Sequence, residues 1–223
     1  MIKSNKQLVV KIFIGFLIIS MINIISYARI YHNGSSSGYD ESEGERDNGN
    51  TIERYIVEGA GYYLNANSDI HKILKMVELQ DIQGIDFTAV NDLLDNAIFS
   101  IKNAKETYEN LIKKAESTSY NEYVISLLAD FDYSNFLIEH GLNSVVFEEV
   151  KGYLKKGDIT GIFISTHRTF IDILGILNYI ESEISQNKLP EITIFWSLNE
   201  TLSKTSIFGS YVARVFDALQ KNN

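Results

Sequence analysis

Along residues 86–114 the apolar positions fall at Val90, Leu94, Ala97, Ile101, Ala104, Tyr108 and Leu111, and the pattern runs on to Ala115 in alternating steps of four and three. This 3.5-residue repeat winds one narrow apolar stripe along a helix, the signature of a heptad seam. Isolated helices are marginal in water, so such a stripe demands partner helices with stripes of their own. Asp86 suits the N-cap, where its carboxylate accepts from free backbone N–H groups at the positive end of the helix dipole. The opposite face carries Asn91, Asp95, Lys102, Lys105, Glu106, Glu109 and Lys113, a solvated exterior.

Three further segments share this periodicity. Asn50-Thr-Ile-Glu53 reads as a capping box, followed by Ile52, Ile56, Gly59, Tyr63, Ala66, Ile70, Ile73 and Val77 at helical spacing, with Tyr55 and Tyr62 alongside. Asp158 is placed to cap a third helix, whose apolar positions are Ile159, Phe163, Thr166, Phe170, Ile173, Leu177, Ile180 and Ile184. Pro190 separates it from a fourth with Phe195, Leu198, Leu202, Gly209, Val212, Phe216 and Leu219. Residues 159–164 and 192–196 are β-branched enough for strands in isolation, but each pattern persists too long for a strand. Between the second and third helices, Ser119-Tyr-Asn-Glu122 opens a short helix to about Phe131. A second short helix starts at Asn143 or Ser144 and runs through Tyr153, closed by Lys155, Lys156 and Gly157. Four long helices and a short pair predict an all-α fold, an antiparallel four-helix bundle with the short pair as its central connection.

The N-terminus stands apart from that bundle. Lys3, Lys6 and Lys11 precede an apolar run over residues 12–25, and Ser26-Tyr-Ala28 offers small residues where a signal peptidase reads. Residues 1–28 are therefore expected to be a cleavable export signal or an N-terminal anchor. Residues 29–50 follow as an acidic Gly/Ser linker too poor in apolar groups to fold, and residues 51–223 form the bundle domain. The acids Asp40, Glu41, Glu43, Glu45 and Asp47 lack the fixed glycine and terminal glutamate of a calcium loop. With no cysteine there is no disulfide, thiolate metal site or lipid attachment point. Export without disulfides favours a bacterial periplasm or cell surface. Without residues 1–28 the chain keeps 17 basic and 29 acidic residues, a net charge of −12, which repels nucleic acid and anionic headgroups.

One short motif argues for chemistry. His167-Arg-Thr-Phe-Ile-Asp172 resembles the HxxxxD box of the glycerolipid acyltransferases, and Ser206-Ile-Phe-Gly209 resembles a substrate-lining segment of that family. The resemblance spans about fifty residues and implies His167 as general base for an acceptor hydroxyl and Asp172 as its orienter. The chain departs from the family in three ways. No later glycine and arginine motif follows, only 51 residues lie beyond Asp172, and Thr166 stands where an asparagine often precedes the histidine. On a continuous helix His167 and Asp172 point about 140° apart, so helix and catalytic pair exclude one another. The di-iron pattern Glu-x-x-His is absent, since Ser68, Leu137 and Ile164 precede His71, His140 and His167 by three.

The expectation is thus an exported helical bundle that works through protein–protein contact or self-association, with no catalytic, cofactor-binding or metal-binding residues. A small-ligand bundle using Tyr55, Tyr62 and Tyr63, or holding a flat apolar ligand at His71, Met76 or His167, is the first alternative. An acyltransferase fragment is the second.

Overall fold

A computed structural model describes residues 51–79, 84–118, 148, 152–153 and 158–222 of the 223-residue chain. Among the described residues there are four long helices and no strand: α1 (Ile52–Leu79), α2 (Phe87–Glu116), α3 (Ile159–Ile184) and α4 (Ile192–Asn222). The export segment, the acidic linker and the first short helix expected from the sequence lie outside the described residues. Of the second short helix, Glu148, Gly152 and Tyr153 are described, all three helical.

Local chemistry fixes the helix ends. Asp86 caps α2 in extended conformation, its Oδ1 accepting from the Ala89 N–H at 3.0 Å. Asp158 caps α3 the same way through the Gly161 N–H at 2.8 Å. At α1 the capping oxygen is the Thr51 hydroxyl, which accepts from Arg54 N–H; the cap therefore sits one residue later than the Asn50 box implies. Between α3 and α4 the chain reverses through Asn187, whose φ of 55° is a left-handed conformation that asparagine tolerates better than most residues. The β-branched openings of α3 and α4 are helical: packing of a long amphipathic face overrides strand propensity.

The heptad seam of α2 is the centre of the core. All eight positions from Val90 to Ala115 are buried, as are all eight stripe positions of α3. Helix α2 packs against α1 on one side and α3 on the other, and α3 packs in turn against α4, whereas α1 and α4 touch only slightly. Neighbours run antiparallel. Gly59, near the start of α1, abuts Tyr108 and Thr107, near the end of α2. Glu109 of α2 meets His167 of α3, and two heptads away on both helices Asp95 meets Glu181. The aromatic centre spans three helices. Tyr108 meets the edges of Phe163 and Phe170 with centroids 6.5 and 5.1 Å apart, and Tyr63 leans on Phe170 at 5.7 Å, spacings favourable for aromatic pairs. On α4 eight consecutive residues, Thr205 to Val212, are buried on every side of the helix.

Candidate functional site

Helix α3 runs unbroken through both ends of the HxxxxD box. His167 and Asp172 therefore diverge around its axis; His167 turns toward α2 and Asp172 toward solvent. The carboxylate that meets His167 belongs to Glu109, whose Oε1 lies 3.4 Å from Nε2, while Lys105 Nζ donates to the same oxygen at 2.7 Å. The Lys105 hydrogen bond holds the Glu109 carboxyl below the usual glutamate range, with His167 adding to the effect. The hydroxyls nearest in sequence are engaged elsewhere. Ser165 donates to the Tyr153 hydroxyl at 3.2 Å, Thr166 to the Ile162 carbonyl and Thr169 to the Thr166 carbonyl. The described residues thus build an interhelical Lys–Glu–His contact without the nucleophile–base–orienter geometry that acyl transfer uses.

The tyrosine cluster divides. Tyr63 is fully buried against Phe170, and burial pushes its phenol well above the ordinary tyrosine range, so it stays neutral. Tyr55 and Tyr62 are half-buried on a different flank of α1, seven residues apart and so one above the other. His71 and Met76 are also half-buried on α1, but five residues separate them around the helix as His167 and Asp172 are separated. No group of three or more metal-ligating side chains occurs among the described residues. No helix among them is long and apolar enough to cross a membrane.

The second charged contact between α2 and α3 has the opposite character. Glu181 is raised above the usual glutamate range, first by partial burial and then by a hydrogen bond and like charge from Asp95, with Lys102 partly offsetting. Two of the acids on the outer face of α2, Asp95 and Glu109, thus reach across to α3 while staying in contact with solvent.

Large apolar side chains on the surface make the remaining site. Phe99 of α2 is 66 % exposed, and Tyr179, Ile171, Ile192 and Trp196 are each more than 40 % exposed. Ile192 and Trp196 share one face of α4, four residues apart. The Glu109–His167 and Asp95–Glu181 register sets Phe99 level with Leu177, and the short α3–α4 turn sets Tyr179 level with Trp196. Phe99, Tyr179 and Trp196 thus lie at one level, a tier that runs round the outside of three successive helices and sets Phe99 and Trp196 on opposite sides of the bundle. Phe99 lies off the heptad stripe, and an outward aromatic among polar neighbours was the signal available in the sequence. Trp196 is likewise one position past Phe195, the stripe residue. The chain matches no protein-family model, no curated protein and no solved structure at a significant level.

Proposed function

We propose that the protein is an exported interaction module, a helical bundle that docks a protein partner or a second copy through the side of the bundle that presents Phe99. The observation that carries this reading is Phe99, two-thirds exposed at the middle of the helix that organises the core. Leaving a phenylalanine in water forfeits about 2 kcal/mol of burial, and aromatic side chains are the ones enriched at the energetic centres of interfaces. The acidic balance of the chain supports a partner with a basic rim. Export to a bacterial periplasm or cell surface, with residues 29–50 as a linker, belongs to the same proposal and rests on the sequence of residues 1–28.

Site-specific photo-crosslinking in cells tests it. A benzoylphenylalanine placed at 99 is expected to trap one discrete protein species, and the same probe at 196, on the opposite side of the bundle, to trap far less. Equal, diffuse labelling from both positions refutes docking through Phe99.

A further inference from the structure

Asn67 and His71 on α1, and Asn199 and Ser206 on α4, each hold a buried polar atom that meets no hydrogen-bond partner. On α1, Asn67 is 2 % exposed and its Nδ2 has no hydrogen-bond partner; one turn later His71 Nδ1 is buried and unpaired. On α4, Asn199 Oδ1 and Ser206 Oγ, one heptad apart, are buried without partners as well.

Helix geometry brings these four to one seam. Gly59, lying against Tyr108 and Thr107, marks the edge of α1 that faces α2. At about 100° per residue, Asn67 lies about 80° and His71 about 120° round from that edge, past the core and toward α4. Viewed from the start of α1, the contacts Gly59–Tyr108 and Glu109–His167 make the helices follow one another clockwise. In that sense the edge of α4 that faces α1 lies about 80–100° beyond Leu198, where Asn199 and Ser206 sit. The antiparallel register sets Asn67 level with Asn199. This is also the seam where the two helices touch least.

The unpaired set has a definite chemistry. It holds an amide donor on one wall, an amide acceptor at the same level on the other, and a hydroxyl and an imidazole nitrogen to either side. A buried polar group left unpaired costs about 1–3 kcal/mol, so four on one seam need an explanation. Among the described residues, the charged side chains of α4 nearest to them are turned away: Glu200 is exposed and pairs with Lys204 at 3.1 Å. A charged ligand would lose its hydration here without gaining a counter-ion. A neutral carboxamide fits, its C=O accepting from Asn67 Nδ2 and its N–H donating to Asn199 Oδ1. Turning both asparagine amides over leaves the same complement with the walls exchanged.

We infer that the α1–α4 seam is a binding cleft for an uncharged carboxamide group, lined by Asn67, His71, Asn199 and Ser206. The group belongs either to a small amide or to the backbone of a peptide segment. It is independent of docking through Phe99, so either proposal can fail alone.

The test is a nuclear magnetic resonance titration of the isotope-labelled full chain with acetamide and with N-acetylglycinamide. The side-chain amide signals of Asn67 and Asn199 are expected to shift saturably with at least one probe. Saturation by acetamide points to a small amide, and saturation by N-acetylglycinamide alone to a peptide. Asn67→Leu replaces an unpaired donor by an apolar group of similar volume, so the variant is expected to fold and to bind about five- to tenfold more weakly. Should it fail to fold, the same titration on Asn199→Leu decides. No saturable shift with either probe, or shifts unchanged in the leucine variant, overturns the assignment.

Discussion

Gly59→Ala and Gly175→Ala are the same substitution in two helix interiors, yet the structure gives them opposite signs. Alanine in place of glycine in a helix is worth about 1 kcal/mol. At Gly175, in α3, an added methyl meets nothing within 4 Å, so the whole gain is kept. At Gly59 the methyl would lie 2.7 and 3.0 Å from two ring carbons of Tyr108. That ring cannot swing aside, because Phe163 and Phe170 hold it edge-on from α3. Relief requires α1 to move off α2, an overpacking cost of about 1–3 kcal/mol that outweighs the helix gain. Gly59→Ala is therefore expected to destabilise by up to about 2 kcal/mol net, lowering Tm by up to about 4–8 °C, and Gly175→Ala to raise Tm by about 2–4 °C. Thermal unfolding followed by circular dichroism measures both. If Gly59→Ala stabilises as much as Gly175→Ala, Tyr108 is not locked between α1 and α3, and the aromatic centre described above is wrong.

Other perturbations probe other parts of the bundle. Ile101→Asp puts a carboxylate at a fully buried seam position; it loses at least the roughly 2–5 kcal/mol of a deleted isoleucine and buries a charge besides, so the domain should unfold in denaturant titration, whereas Lys102→Asp, which acts only through the exposed charges around Asp95 and Glu181, should shift the midpoint far less. Asp86→Ala removes the α2 cap and should cost about 1 kcal/mol by the same titration, with Asp86→Asn nearly neutral. Because the Glu181 carboxyl is raised, the folded state favours its protonated form: the penalty is full above the raised pKa and is relieved as pH falls through it toward the ordinary glutamate range. Glu181→Gln should thus raise Tm at pH 7, and the difference from the parent should shrink on acidification. Glu109, held low by Lys105 and His167, contributes in the opposite sense, its share disappearing only as pH falls below that ordinary range.

Much of the fold was legible because each helix repeats a single instruction many times. Val90 to Ala115 on α2 and Ile159 to Ile184 on α3 are buried without a miss, since a stripe held for eight positions has only one way to pack. Asp86 and Asp158 were legible for a local reason: a carboxylate before an apolar run satisfies backbone donors whatever lies further away. The site was less visible. That His167 meets Glu109, 58 residues away, depends on the α2–α3 register, which no local pattern encodes. Asn67 lies beside the α1 stripe, next to Ala66, where the unbroken apolar periodicity gives no sign of a buried polar group or of the helix it faces. Phe99 and Trp196 escaped because attention to the buried stripe passes over apolar residues on the opposite face. The resemblance at His167-Arg-Thr-Phe-Ile-Asp172 dissolves once the backbone is known, because a helix turns its two fixed residues apart.

The most direct measurement of the interaction account is native mass spectrometry of the full chain released gently from the compartment where it resides, beside the same preparation of Phe99→Ser and Trp196→Ser. Docking through Phe99 predicts a stoichiometric complex, a whole multiple of the chain or the chain plus one partner, that falls apart in Phe99→Ser and survives Trp196→Ser on the opposite side, while the helical content of both stays intact. A parent protein that flies only as the bare single chain, or a complex indifferent to Phe99→Ser, contradicts it.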